Sequence, residues 1–205
     1  MLQWVFTAFA IGLALGYLFS SKFCKVTIRG RVEKEIALNQ ALRGLFAKNI
    51  FLITSTINAV YFNTPIHKTL IEALIGNQNE IIKVLRAYYG DRQTTKINKL
   101  LHENALLIPD LVNAKDLEKV QEPQSKWEKN IQEIAKLFVQ LNSNVDALNS
   151  SNLQKQISLL RQTIEALQAH NWDEAMVIFE ALFDQAMQFA NELDKSITEQ
   201  FPQKF

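Results

Sequence analysis

Side chains that could bind a metal ion or act in catalysis are few in this sequence, and they lie far apart. The three histidines, His67, His102 and His170, have no second histidine at helical spacing, and each flanks an apolar stripe. Di-iron bundles need inward-facing Glu-x-x-His pairs, and the sequence has none. The single cysteine, Cys24, excludes an intrachain disulfide and a cysteine-based zinc site. We therefore expect solvent-facing histidines, no metal and no cofactor.

Four uncharged amides are better placed, because they lie on or beside the apolar stripes of four expected helices. They are Asn49, Asn104, Gln156 and Gln185. A buried amide costs about 1–3 kcal/mol unless it is hydrogen-bonded, so amides that converge on one core must satisfy one another. The alternative is that each amide lies at the edge of its stripe and reaches water. Spacing alone favours this second arrangement.

The sequence also lacks the short motifs of common enzyme classes. The glycine-rich patterns GxGxxG and GxxxxGKS and the nucleophile pattern GxSxG do not occur. The formal net charge is +1, from 22 basic and 21 acidic residues. A nucleic-acid-binding protein needs a concentrated basic face, which this balance argues against. We expect a non-enzymatic protein that does not bind nucleic acid.

An apolar N-terminal segment precedes the helices that are expected to position these residues. Residues 2–20 carry no charge, and a helix of that length spans roughly 28 Å, close to the hydrocarbon thickness of a bilayer. Basic residues follow, with no acidic residue before Glu33, and the positive-inside bias then places the C-terminal domain in the cytoplasm. We expect a single-pass membrane protein anchored by residues 1–21. A cleaved export signal and a buried core helix are the alternatives.

Small residues recur at every fourth position of this segment, at Ala8, Gly12, Gly16 and Ser20. Gly12 and Gly16 form a GxxxG motif, which lets two helix backbones approach closely in lipid. Glycine is also common in membrane helices, so the motif can occur without dimerisation. The segment predicts contact with membrane lipid, and self-association through Gly12 and Gly16 is a hypothesis.

The remainder of the chain is predicted to form helices separated by sparse helix-breaking residues. Apolar residues recur at helical spacing, and no segment shows the alternation of a β-strand. Gly90 is expected to end the second helix and Asp91 to cap the third, while the Asn- and Ser-rich run 142–152 is expected to be a loop. The helices are expected over about 32–62, 65–89, from 91 onward, 115–141, 153–168 and 172–200, and Pro123 suggests a break or a late start in the fourth.

These elements define the predicted fold and domains. The class is all-α, with an N-terminal transmembrane helix (1–21), a basic juxtamembrane linker (22–31) and a bundle domain (32–205). The bundle is expected to be an elaborated antiparallel four-helix-type bundle of about six helices.

Several short segments resemble a little-characterised family of bacterial helical-bundle proteins. The resemblance covers about residues 42–205 and implies a helical bundle, since none of its segments is a catalytic motif. The segments are NQNEI (77–81), YYGD (88–91), KWEKN (126–130) with EIA (133–135), and the C-terminal ITEQFPQKF (197–205).

Members of this family carry core histidines in helices one, three, five and often six, the first within a His-x-x-Trp-Thr-Arg pattern. Gap-free matching places these positions at Asn49, Asn104, Gln156 and Gln185, with 52–54 where Trp-Thr-Arg would stand. Histidines there could bind a metal, whereas amides are poor ligands for such metals but keep hydrogen-bonding capacity at similar size. The resemblance therefore implies a core amide cluster and argues against a metal or redox role.

The function expected from these features is that of a membrane-anchored, non-enzymatic interaction or structural module. Its protein partner is not specified by the sequence. The alternative is an altered metal- or small-ligand-binding bundle, in which the amides bind something other than a soft metal.

Overall fold

A computed structural model of the chain describes residues 2–114, 117–141 and 150–205, with side chains described for 29–114, 122–141, 155–156 and 158–205. Within these ranges the regular structure is entirely helical, which confirms the all-α class and the helical bundle. A short 3₁₀ turn, Pro202–Lys204, follows the last helix. The helices are α1 (Leu2–Tyr61), α2 (His67–Tyr89), α3 (Asp91–Asn113), α4 (Leu117–Leu141), α5 (Ser150–Gln168) and α6 (Trp172–Gln200).

Helix α1 is continuous from Leu2 to Tyr61, through the segments expected to be anchor and linker. The side chains of residues 1–28 lie outside the described part of the chain. They include those of the expected anchor at 1–21 and of its stripe of Ala8, Gly12, Gly16 and Ser20. Among the residues that the structure does describe, no helix is both long and apolar enough to cross a bilayer.

The ends of the helices follow from a few local residues. Gly90 has φ +79°, a conformation that glycine adopts without strain, and it ends α2 with its N–H donating to the carbonyl of Arg86. Gly90 also takes the N-cap position of α3, so the expectation that Asp91 caps that helix is wrong. Asp91 is instead in the first turn, where its negative charge interacts favourably with the positive end of the helix dipole. Its carboxylate also pairs with Arg86 at 2.8 Å.

Helix α6 begins where the sequence predicts, because its cap is strong. Asn171 accepts a hydrogen bond from the Glu174 N–H at 3.3 Å and donates to the Glu174 carboxylate at 2.7 Å, which is a reciprocal capping arrangement. Helix α5, by contrast, begins at Ser150, inside the run expected to be a loop. The rest of that run, 142–149, lies outside the described residues. Pro123 lies inside α4 and does not interrupt it.

The helices pack side by side with a core divided along the bundle axis. Helix α1 packs against α2 and α6, α2 against α3, α3 against α4, and α5 against α6. One apolar cluster surrounds Ile57, Leu74 and Leu182 near the C-terminal end of α1. A second cluster surrounds Leu42 and Leu193 towards the other end. The buried carboxamides Asn49 and Gln78 lie where the two clusters meet.

Candidate functional site

A cavity of about 90 Å³ lies where the two apolar clusters meet, and all six helices contribute to its wall. Ile53 and Ile131 belong to the first cluster, and Ile81 and Phe138 belong to the second. At about 30 Å³ per water in the liquid, the volume corresponds to roughly three water molecules. The cavity can therefore hold a few water molecules or a small organic molecule.

The structure places all four amides of the expected cluster in the wall of this one cavity. Asn49 comes from α1, Asn104 from α3, Gln156 from α5 and Gln185 from α6. Asn49 is buried and the other three are half-buried. They meet because each lies three or four residues from an apolar neighbour on the inner face of its helix. Asn104 Nδ2 donates to Asn130 Oδ1 at 3.2 Å, and Asn130 is not one of the four amides. Hydrogen bonding among the four amides themselves therefore stays a prediction.

Two further carboxamides line the cavity and were missed in the sequence. Gln78 of α2 is only 2 % exposed, and Gln188 of α6 is exposed at the surface. Gln78 lies four residues after Leu74 and three before Ile81, so it has the same stripe position as the four expected amides. The signal for Gln78 was therefore present. Gln188 offered no such signal. Because it is exposed and also lines the cavity, it lies on the side where the cavity approaches solvent.

The two buried carboxamides of this wall that are less than a tenth exposed each have an oxygen atom with no hydrogen-bond donor among the described residues. These oxygens are Asn49 Oδ1 and Gln78 Oε1. An unpaired buried carbonyl costs about 1–3 kcal/mol, because it has lost its hydration without replacement. The neighbouring Asn77 shows the usual solution for its nitrogen, which donates to the carbonyl of Leu45 at 3.0 Å. The cavity wall thus offers acceptors that a donor inside the cavity can satisfy.

The described side chains that line the cavity include no ionisable group. Six are carboxamides, and the others are aliphatic or phenylalanine side chains. A charged ligand would lose its hydration there without gaining a counter-charge, which is strongly unfavourable. The wall also contains none of the usual general acids, general bases or nucleophiles. Its chemistry is that of hydrogen bonding to an uncharged molecule.

One side of the cavity is formed by three phenylalanines packed edge to face. The rings of Phe46 and Phe189 have centroids 5.1 Å apart, and those of Phe138 and Phe189 are 5.5 Å apart. Such a mutually packed set is rigid and apolar. A ligand in the cavity therefore meets amides on some sides and a hydrocarbon surface on another.

None of the three histidines lines the cavity. His170 is exposed, and its Nδ1 lies 3.3 Å from the hydroxyl of Tyr61. His67 and His102 are half-buried, and each contacts a carbonyl oxygen, of Thr64 and of the Asn79 side chain respectively. In the described part of the chain, no three His, Cys, Asp or Glu side chains lie close enough to share a metal ion.

A wider apolar groove of about 340 Å³ lies between α1, α5 and α6 at the end of the bundle. Its rim includes Phe51, Trp172 and Met176, all exposed. Its buried hydroxyls, on Thr54 and Thr163, donate to backbone carbonyls of their own helices at 2.9 Å. Ser55 and Asn58 also line the groove, and the rest of its described surface is mainly apolar.

No known family model matches the chain, and no curated protein or solved structure matches it either. The site is consequently interpreted from its own side chains.

Proposed function

We propose that this protein is a membrane-tethered, non-enzymatic helical bundle whose central cavity binds a small uncharged molecule. The observation that supports binding is the composition of the wall, in which six carboxamides and apolar side chains enclose the space. Asn49 Oδ1 and Gln78 Oε1 gain most from an occupant, because they have no donor from the protein. This proposal unites the expected non-enzymatic module with the alternative of a small-ligand bundle.

The size of the cavity limits both the ligand and its affinity. A volume of about 90 Å³ suits a molecule of about four non-hydrogen atoms. The best small ligands gain about 1.5 kcal/mol per non-hydrogen atom, so the ceiling is about 6 kcal/mol and a Kd of tens of micromolar. A measurement of binding must therefore reach millimolar concentrations.

The experiment that tests this function is a methyl NMR titration of the full chain in detergent. Isoleucine methyl groups line the cavity at Ile53, Ile81, Ile131 and Ile134, and they report an occupant directly. We expect saturable shifts of these methyls with uncharged probes of about four non-hydrogen atoms, and no saturable shift with acetate. Saturation by acetate alone would contradict the proposal.

The tether is proposed from the sequence of residues 2–20, which is uncharged and long enough to span a bilayer as a helix. The proposal includes single-pass topology, a cytoplasmic C-terminal domain, contact with lipid and self-association through Gly12 and Gly16. Detergent-dependent extraction, with the C-terminus protected from protease outside the cell, is the expected result. A mature chain that begins after Ser20 and is free in solution would contradict it.

A second candidate function, a protein-interaction module, is favoured by the exposed groove. Phe51 and Met176 are each 59 % exposed on its rim, and clustered apolar surface of this kind is typical of interaction sites. We expect that Phe51→Ser/Met176→Ser reduces the association that remains after Gly12→Leu/Gly16→Leu has removed the contribution of the N-terminal segment, as measured by light scattering in detergent. Loss in the glycine variant alone would assign the association to the N-terminal segment.

A further inference from the structure

We infer that the occupant of the cavity is a small carboxamide or urea, which the wall recognises through the same functional group that it presents. This inference rests on the proposed function, and it narrows an uncharged molecule to one chemical class. Three properties of the wall favour this class of ligand: its unpaired oxygens need hydrogen-bond donors, its described side chains carry no charge, and one of its sides is apolar.

The two buried oxygens determine how many hydrogen-bond donors the ligand must carry. Asn49 Oδ1 and Gln78 Oε1, on α1 and α2, each require an N–H or O–H group, and the described side chains and backbone supply neither. A single hydroxyl has one donor, and a ketone has none. The NH₂ group of a primary amide or urea has two donors on one planar nitrogen. Among small uncharged organic groups, it is one that places two donors on a single atom, as water does, while also carrying a carbonyl acceptor.

The acceptor of the ligand is equally well matched to this wall. Every lining carboxamide also carries an NH₂ group, which donates hydrogen bonds. The one on Asn104 is already used by Asn130, at 3.2 Å. Other carboxamides in the wall, such as Gln156 of α5, come from other helices and carry NH₂ groups that can donate to the carbonyl oxygen of an amide ligand.

The remaining surface of the ligand is defined by the phenylalanines. Phe46, Phe138 and Phe189 form the apolar side of the cavity, against which a methyl group packs without losing hydrogen bonds. Acetamide, with one methyl group, one carbonyl and one NH₂, has four non-hydrogen atoms and fits both the polar and the apolar parts. Urea shares the donors and acceptor but lacks the methyl group.

Three isosteric probes separate these requirements in one titration. Acetamide, acetone and acetate have the same number of non-hydrogen atoms and nearly the same planar shape, but they carry two donors, no donor and a negative charge respectively. The full chain in detergent is titrated with each probe, and with urea, at millimolar concentrations. The methyls of Ile53, Ile81, Ile131 and Ile134 report the cavity, and Ile178 and Ile197, which do not line it, correct for solvent effects.

We expect acetamide to saturate the cavity methyls and acetone to bind about tenfold more weakly, because two net hydrogen bonds are lost. Acetone binding as tightly as acetamide would overturn the amide inference while leaving the proposed function intact. Failure of all probes to saturate, with only water in the cavity, would overturn both.

Paired variants test which side chains recognise the amide. Asn49→Leu and Gln78→Met remove the two acceptors at nearly constant shape, and together they should weaken acetamide about tenfold with acetone unchanged. Gln132→Met, at an exposed position of α4, is the matched control and should change neither affinity. Unchanged acetamide affinity in the double variant would contradict the inference. If that variant does not fold, the acetamide and acetone comparison on the unsubstituted chain still decides the question.

Discussion

The contact between α3 and α4 and the wall of the cavity both contain buried carboxamides, but their hydrogen bonding differs. Asn130, 7 % exposed, donates to the Leu100 carbonyl at 3.0 Å and accepts from Asn104 Nδ2 at 3.2 Å, which links the two helices. Asn49 and Gln78 are as deeply buried, yet each has an oxygen without a donor from the protein. Burial alone therefore does not identify a binding site. A candidate recognition amide combines an unpaired oxygen with a place in the cavity wall, as Asn49 and Gln78 do.

Adjacent residues of α2 show a similar difference. Asn77 joins α2 to α1 by donating to the Leu45 carbonyl at 3.0 Å, and it does not line the cavity. Gln78 faces the cavity one position later. Asn77 Oδ1 also lacks a protein donor, and nothing in the structure explains it.

The largest expected effect is at the bonded amide. Asn130→Leu removes the bond to Leu100 and leaves the Asn104 NH₂ without its acceptor, so we expect the free energy of unfolding to fall by about 2–3 kcal/mol. Chemical denaturation of the full chain measures it. Gln132→Leu, on the exposed face of the same helix, is the control and should change stability by less than about 0.5 kcal/mol. Equal effects of the two substitutions would remove the distinction between the two regions.

A smaller effect on stability is expected at the half-buried phenol of Tyr89, which is hydrogen-bonded to Ser196. Burial raises the pKa of Tyr89 to about 12, and its hydrogen bond with Ser196 lowers this pKa in part. The folded state thus retains the proton that the unfolded chain loses near its ordinary pKa of 10.0. This contribution is complete below that value and is lost as the pH rises towards about 12.

The expected loss of stability over this window is about 1 kcal/mol, because partial exposure of the ring screens the full effect. Denaturation at several alkaline pH values should show it in the unsubstituted chain. Tyr89→Phe should lose about 1 kcal/mol at neutral pH with the bond to Ser196, and it should show a shallower decline at alkaline pH. An unchanged slope would assign the decline to other groups.

Much of the fold was predictable because local signals agreed with it. The start of α6 follows from Asn171 and Glu174, and the end of α2 follows from Gly90. The start of α5 at Ser150 was not predictable, because serine and asparagine favour turns in isolation. The cap of α3 was also not predictable. Aspartate commonly caps helices, but the glycine before Asp91 takes the cap position itself.

The candidate site was predictable in position but not in geometry. Spacing placed Asn49 and Gln185 beside apolar stripes, and the family resemblance suggested that they belong together. Their meeting in one cavity depends on the rotation and axial offset of each helix, which packing across the bundle sets. The unpaired oxygens could not be predicted at all, since the same amide at Asn130 finds its partners.

The smallest expected effect on stability gives the sharpest test of the comparison. Asn49→Leu and Gln78→Met, made singly, each remove a buried oxygen that has no donor from the protein. Replacing such a group by an apolar one of similar shape should be neutral or stabilising, by up to about 1 kcal/mol, because no protein hydrogen bond of that oxygen is lost. The measurement is the same denaturation used for Asn130→Leu. A loss as large as at Asn130 would mean that these oxygens are bonded in the folded protein, and the cavity would then be a structural polar core without free acceptors for a ligand.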